Sequence, residues 1–511
     1  MDQKKLLAFL KRRHPLYEEM APSWVFYEET YEGGRSWFNS NIFKYMREGD
    51  DEYAARVHRA YRFNHTREVV DLVNKHLFKM PVARNEDDAP PALQAFWKSA
   101  TLNNLPIREF MDQVGKRSST CGRIWLVIDN NYPAGMRTRA DEAASGGRIY
   151  SYIVRPYNFL DCAWGDDGML SWALVREAKR DDSDPLNSTG GQYFVYRLWT
   201  RTFSQEFRIQ KEGQRGEKVD VYDAVVHDLG LVPIVPVDNF ISDNPYDSPS
   251  MVADVAFLDR ACANYLSNLD AIIQDQTFSQ LVIPAQGLLP GSDEEKTLVS
   301  MGTKRIFTYN GEGGAAPSYI SPDVKQAELI LQIVNKIINE IYHSVGLAGE
   351  RTKQDNAQGI DNSSGVAKAY DFERVNALLA NKADALEAAE LQIARIVCAW
   401  AGQSDQLGTR KLVEYADNFD VRSLYNEFEI AAELQLIQAP DQVRRRQMEL
   451  VVDKLFPQLK EELKKKMLAE LEKWPPQPEP AAASDAGAGN GNGGQAPSPV
   501  QKLGAAAGEG K

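Results

Sequence analysis

The sequence predicts an α+β protein organised around a few unusually long helices, and three observations predict it. The stretch PDVKQAELILQIVNKIINEIYHSVGL, from Pro322, places Leu329, Ile330, Ile333, Val334, Ile337, Ile338, Ile341 and Val345 on one stripe at helical spacing. A second run, SSGVAKAYDFERVNALLANKADALEAAELQIARIVCAWAG, has Ser363 or Ser364 as N-cap and Gly402 as its stop, which makes it far longer than an average helix. Third, RIWLVIDN, RIYSYIVRPYNFLDCAW, LSWALVREAKR, QYFVYRLWTRTFSQEFRIQ and KVDVYDAVVHD are rich in Val, Ile, Tyr, Trp and Phe with two-residue alternation, and predict about five antiparallel strands.

The remaining elements fall around these. Residues 1–80 are predicted helical near Lys4–Arg13, Tyr53–Tyr61 and Thr66–Phe78, with Pro81 as a stop. Gly33 and Gly34 force a turn amid Tyr31, Trp37, Phe38 and Phe43, a pattern of a packed corner rather than a ligand cage. Residues 92–118 are again helical. LVPIVPVDNF reads as an extended, Pro-punctuated connection, and a helix follows from Met251 to Thr277 on the stripe Val252, Val255, Leu258, Ala261, Ala263, Leu266, Leu269, Ile272 and Ile273. Residues 279–320 form a small insert of short strands and turns. The helices on either side of it can therefore lie together as a hairpin with the insert at the tip.

Between the second and third long helices, AGERTKQDNAQGIDNS has no apolar periodicity and carries Gly349 and Gly359, so it reads as a loop too polar to be buried. After Gly402, KLVEYADNFDV predicts one strand returning to the first domain. Two further helices are expected, SLYNEFEIAAELQLIQA and DQVRRRQMELVVDKLFPQLKEELKKKMLAELEKW. From Pro475 the chain has almost no apolar side chain larger than alanine and is expected to be disordered.

Composition narrows the function. The 511 residues are 43% hydrophobic and 26% charged, which is ordinary for a globular protein with several cores. The net charge of −13 argues against a generally basic surface for tight nucleic-acid binding. Cys121, Cys162, Cys262 and Cys398 show no C-x-x-C pairing, so they are expected to be free thiols in a reducing cytoplasm. No apolar run approaches the roughly 20 residues of a membrane span, and MDQKKLLAFLKRRHP is too charged for a signal sequence.

Motifs of catalysis are missing. There is no G-x-x-x-x-G-K-[ST], H-E-x-x-H, G-x-S-x-G or EF-hand loop, and GEGGAAPS at Gly311–Ser318 lacks the lysine of a phosphate loop and reads as a turn. Among the six histidines only His58 and His65 are close, and they read as a solvent-facing pair rather than metal ligands. Metal and cofactor sites are therefore not expected. An enzyme alternative, a metal-dependent nuclease, would have to use Asp181, Asp182 and Asp184 of RDDSDP, or Asp166 and Asp167; the first run reads more simply as a solvated hairpin loop. A second alternative is a helical adaptor that forms no ring.

The order of parts resembles the portal proteins of tailed bacteriophages over about residues 25–470. The most specific pieces are NSSGVAKAYDFERVNALL (Asn362–Leu379), FNHTREVVDLVNKHLFKMP (Phe63–Pro81) and the acidic DNFDVRSLYNEFEIAAEL. A longer apolar residue is common at Lys368 in that family, a minor departure. The resemblance implies a portal-type fold: 1–246 a mixed α/β wing, 247–278 and 322–346 the two stem helices, 279–321 a small α/β clip, 347–363 a tunnel loop, 364–420 the long wing helix and returning strand, 421–474 crown helices, and 475–511 the disordered tail.

It also implies a homo-oligomeric ring, usually of twelve copies, at one capsid vertex of the virion, assembled in the host cytoplasm. Partners implied are double-stranded DNA, the terminase large subunit, a head-to-tail adaptor, the major capsid protein and a scaffold, with no membrane. Twelve helices about 10 Å apart make a circle about 38 Å across, which leaves about 28 Å clear for a duplex about 20 Å wide. DNA must slide through such a bore, and a basic ring would hold it, so a net acidic chain with sparse loop cations fits the task. The channel residues implied are Glu350, Arg351, Lys353, Gln354 and Asp355, with Lys368 beside them; Arg351 and Lys353 are expected to touch the phosphate backbone. Arg444, Arg445, Arg446, Lys464, Lys465 and Lys466 form a basic face near the C-terminus that reads as solvated.

Overall fold

Capping and apolar spacing start the fold. The computed structural model describes residues 2–46, 48–132, 145–211, 217–227, 229–277, 280–284, 306–309, 318–320, 325–347, 365–407, 412–417, 419, 430, 432–434, 440–455 and 461–471. Asp2 accepts from the Lys4 amide to begin α1 (Gln3–Lys11), and His14 with Pro15 opens α2 (Pro15–Glu32). Gly33 and Gly34, at φ 65° and 93°, turn the chain into α3 (Arg35–Asn41), where Trp37 and Phe38 are buried with Ile42, Val57 and Ala263. Phe43 does not join that corner and is exposed. Then come α4 (Asp50–Arg59), α5 (His65–Leu77), capped by Asn64 accepting from the Arg67 amide, α6 (Pro91–Lys98) and α7 (Ile107–Cys121).

The strands form two antiparallel sheets rather than one run. β2 (Arg123–Asn130) is the centre of a three-stranded sheet, with β3 (Ile149–Val154) on one side and β10 (Ile234–Asp238) on the other. Six consecutive residues of β2 are buried, because Ile124, Leu126 and Ile128 face one core while Trp125 and Val127 face another. The second sheet runs in the order β4 (Phe159–Trp164), β5 (Leu170–Arg180), β6 (Gln192–Thr200), β7 (Phe203–Lys211), β8 (Glu217–Val221), and β9 (Val225–Val226) also pairs with β7.

Two expectations are corrected here. RIYSYIVRPYNFLDCAW is two strands in different sheets, because Pro156 opens a 3₁₀ turn between them and lacks the amide a ladder needs. LVPIVPVDNF is not a bare connection; it contains β10, which tolerates Pro236 because it lies at the sheet edge.

Two long helices, α8 (Ala253–Thr277) and α9 (Lys325–Ser344), pack along one another and bracket the insert. The described insert strands are β11 (Gln280–Pro284), parallel to β12 (Ile306–Tyr309) and antiparallel to β13 (Ser318–Ile320). Val334, Ile338, Ile341 and Val345 of the predicted stripe are buried, whereas Leu329 is exposed. A helix of 36 residues, α10 (Gly365–Trp400), lies against α5, α6 and β10. The chain then returns to pair β14 (Val413–Glu414) with β1 (Ala83–Arg84). One continuous core takes in residues from α2, α5, α7, β2, α8, α9 and α10, and all four cysteines are buried.

The chain divides into two compact units, residues 1–421 and 422–511. In the second unit, the long helix predicted from Asp441 is described as two helices, α11 (Asp441–Leu455) and α12 (Glu461–Leu471), which pack on each other. The expected helix SLYNEFEIAAELQLIQA falls almost entirely outside the described residues, as do the GEGGAAPS turn except for its last residue and the tail from Pro475. Among the described residues no helix is long and apolar enough to cross a membrane.

Gly122 closes α7 at φ 89°, and a Cβ there would lie 1.9 Å from the Ser248 carbonyl oxygen. Gly122→Ala is expected to cost more than about 2 kcal/mol, read as a fall in the thermal midpoint; an unchanged midpoint contradicts this packing.

Candidate functional site

The first turn of α5 and the segment before it hold both α8 and α9. Arg62 Nη1 lies 3.2 Å from Asp259 Oδ2 on α8, and the same oxygen accepts from the Thr66 amide (3.1 Å) and hydroxyl (2.8 Å). Asp259 is 1% exposed and Arg62 4%. Burial pushes the Asp259 carboxyl up and the Arg62 guanidinium down, while their mutual attraction opposes both shifts. The Arg62 guanidinium also lies 3.9 Å from the centre of the Trp37 ring.

Further along α8, Arg56 donates to Glu48 (2.7 Å), to the Phe43 carbonyl (2.7 Å) and to Ser267 (3.1 Å). On the α9 side, the Tyr342 hydroxyl donates to Glu68 Oε2 at 2.5 Å and stands 3.3 Å from His65 Nδ1. His65 is thus not half of a solvent-facing pair. It is buried edge-on against Tyr342 while His58 is exposed, because the helix pair covers the start of α5.

The long helix α10 is held by two other buried polar junctions. Lys382 is fully buried; its Nζ donates to Asn239 Oδ1 (3.1 Å) and lies 3.3 Å from Ser118 Oγ, with no carboxylate among its partners. Burial alone pushes this amine down to about 7. Glu390 takes a two-pronged contact from Arg84 (2.6 and 3.0 Å) and the Tyr415 hydroxyl (2.9 Å), and Glu387 accepts from the Tyr415 amide. That junction ties the β1–β14 pair to the helix. Sequence reading missed Lys382 and Glu390. The available signal was two charges standing among the core positions Leu379, Ala383, Leu386, Ala389 and Ile393 of one helix.

The predicted channel residues Glu350, Arg351, Lys353, Gln354 and Asp355 lie outside the described residues, and Lys368 falls in the first turn of α10. Three of the five acidic residues of the enzyme alternative, Asp181, Asp184 and Asp167, are used locally. Asp181 accepts from the Thr189 amide and hydroxyl (3.0 and 2.7 Å), and Asp184 from Leu186 and Asn187 (2.9 and 2.6 Å), within the β5–β6 hairpin loop. Asp167 meets Arg201 (2.7 Å) and the Met169 amide. These bonds hold all three carboxyls below the usual carboxylate range.

Among the described residues no group of three or more His, Cys, Asp or Glu is placed to hold a metal ion. A cleft of about 800 Å³ beside Tyr150 and Tyr152 is lined by Lys116, Arg117, Arg155 and Arg197, but each of these cations already meets a carboxylate. In α11, Arg444 pairs with Asp441 and Arg446 with Glu449.

No protein-family model matches this sequence, and no curated protein matches it. Among solved structures the chain is similar to a chain in the neck of an empty gene transfer agent particle computed with C6 symmetry. That likeness has 14% identity over 79% of this chain and 89% of that chain, with a TM-score of 0.37. It is also similar to chains of the native particle's neck with C12 symmetry (12%, 72% and 85%, TM-score 0.36) and of the native virion (13%, 78% and 92%, TM-score 0.37). TM-scores at this level do not define a common fold.

Two stability predictions follow from the junctions. Arg62→Ala strands a buried carboxylate and is expected to cost about 3–5 kcal/mol in urea unfolding; a loss below about 1 kcal/mol contradicts the pairing. Lys382 binds its proton less tightly folded than unfolded, so the unfolded chain carries more protons between about pH 7 and 10. Stability contributed by this group therefore rises with pH across that window. Lys382→Met is expected to be neutral or stabilising at pH 7 and to flatten that rise, checked by urea midpoints at several pH values; an unchanged slope overturns the assignment.

Proposed function

We propose that the chain is a ring-forming structural component of the head–tail junction of a phage-like particle, and more specifically its portal subunit. The observation that carries this reading is the antiparallel pair α8 and α9, bracketing a small sheet at one end and clamped through buried polar junctions into an α+β body at the other. A 36-residue helix follows the pair after a polar segment. In these terms residues 1–246 are the wing, 247–278 and 322–346 the stem, 279–321 the clip, 347–363 the tunnel loop, 364–420 the long wing helix and returning strand, and 421–474 the crown.

Around a ring the stem helices stand side by side about an open bore. Duplex DNA moves through it during packaging and ejection without sequence readout, since screw symmetry and a closed ring keep no common register. The net charge of −13 keeps the bore from trapping its cargo. Arg351 and Lys353 supply the sparse backbone contacts, with Glu350, Gln354, Asp355 and Lys368 around them. The clip meets the terminase large subunit and later the head-to-tail adaptor; the wing meets the major capsid protein and a scaffold. ATP hydrolysis belongs to the motor, as this sequence has no nucleotide loop.

Light scattering on the purified chain tests the ring directly. Twelve copies of 57.3 kDa give about 690 kDa, and a mass that stays at one or two subunits at high concentration overturns the proposal. Alanine at both Arg351 and Lys353 is expected to leave the particle mass unchanged and to lower the DNA retained per particle. Unchanged DNA yield removes those two residues from the channel.

A further inference from the structure

We propose that the outward face of α8 seats the free flank of α9 from a second copy of this chain, with Arg260 of one copy paired to Glu340 of the next. This rests on the ring reading and names the surfaces that would build it.

The α8 face turned away from α9 is an open groove of about 410 Å³ between the helix and the segment at Phe43 and Tyr45. Phe43 and Phe257 are 55% and 46% exposed there. Arg260 lies over three rings, 4.5 Å from the centre of Phe26, 5.0 Å from Phe257 and 5.3 Å from Phe43. It meets no carboxylate among the described residues. A cation set on an aromatic platform, partly stripped of water and without an anion, matches the chemistry of a binding hot spot.

The flank of α9 turned away from α8 supplies the complement. Leu329 is 56% exposed, Ile333 and Ile337 are half-buried, and Glu340 is exposed and pairs with no cation among the described residues. The levels agree as well. Asp259 and Tyr342 both meet the first turn of α5, which brings those two residues to the same height on the antiparallel pair. Counting toward the insert, Arg260 is one residue on and Glu340 two, an offset of about 1.5 Å. Ile337 then comes level with Asn264, and Ile333 with Asn268.

Because the two surfaces lie on opposite edges of the pair, the contact is heterologous and repeats in one sense, as a closed ring requires. An isologous dimer through the α8 face would instead set two Arg260 guanidiniums against each other.

The test is light scattering on the full chain with R260E, E340R and the double variant, each checked for native circular dichroism. Both single variants are expected to fall from about 690 kDa toward 57.3 kDa, and the double variant to recover the large mass. Singles that assemble like the wild type overturn this interface while leaving the ring reading intact, and singles that dissociate without recovery in the double overturn the pairing. A wild type that never assembles overturns the ring reading itself. As an independent measurement, Asn264→Cys with Ile337→Cys in one chain should give a ladder of disulfide-linked copies under mild oxidation, and a chain that stays uncross-linked overturns the proposed seat.

Discussion

The architecture depends on the buried contact between Arg62 and Asp259. The carboxylate is almost wholly removed from water, and its cost is offset only while the guanidinium and the Thr66 amide and hydroxyl reach it. A slip of α8 by one residue would turn Asp259 by about 100° around the helix and leave a charge stranded in the core. Such a pair is a weak source of net stability but a strong constraint on position. It sets the height of α8, and through Glu68, His65 and Tyr342 the same turn of α5 sets the height of α9.

The junctions of α10 work by a related logic with different chemistry. Glu390 and Arg84 satisfy each other as an ion pair, with Tyr415 completing the carboxylate. Lys382 has only neutral oxygens, so burial favours its uncharged form, and an amine is held where a hydrocarbon would pack with less penalty. Around these points the contacts are apolar and continuous from α2 to Phe419.

The polar groups spent in this way also account for the lack of a recognisable catalytic constellation among the described residues. Asp181, Asp184 and Asp167 organise their own loops, and the cations of the cleft beside Tyr150 and Tyr152 are neutralised in place. Arg260 on its aromatic platform and the exposed Glu340, both on the outer edges of the helix pair, meet no opposite charge among the described residues.

Periodicity and punctuation carry much of the fold in plain view. The long helices around Ala253–Thr277, Lys325–Ser344 and Gly365–Trp400, the turn at Gly33 and Gly34, and the strand-rich middle are local consequences of side-chain spacing, β-branching and glycine. Local spacing cannot tell which strands share a sheet, so Pro156 separating two sheets and Val235 lying beside Leu126 emerge only once distant strands meet. The same holds for the anchoring residues: Ser118 and Lys382 are 264 positions apart and Arg84 and Glu390 are 306 apart. A charge on an apolar stripe is visible in a sequence, but its partner is chosen by the packing of the whole chain. For that reason the elements could be read from the residues, while the heights at which they are locked, and the burial of His65, belong to the folded molecule.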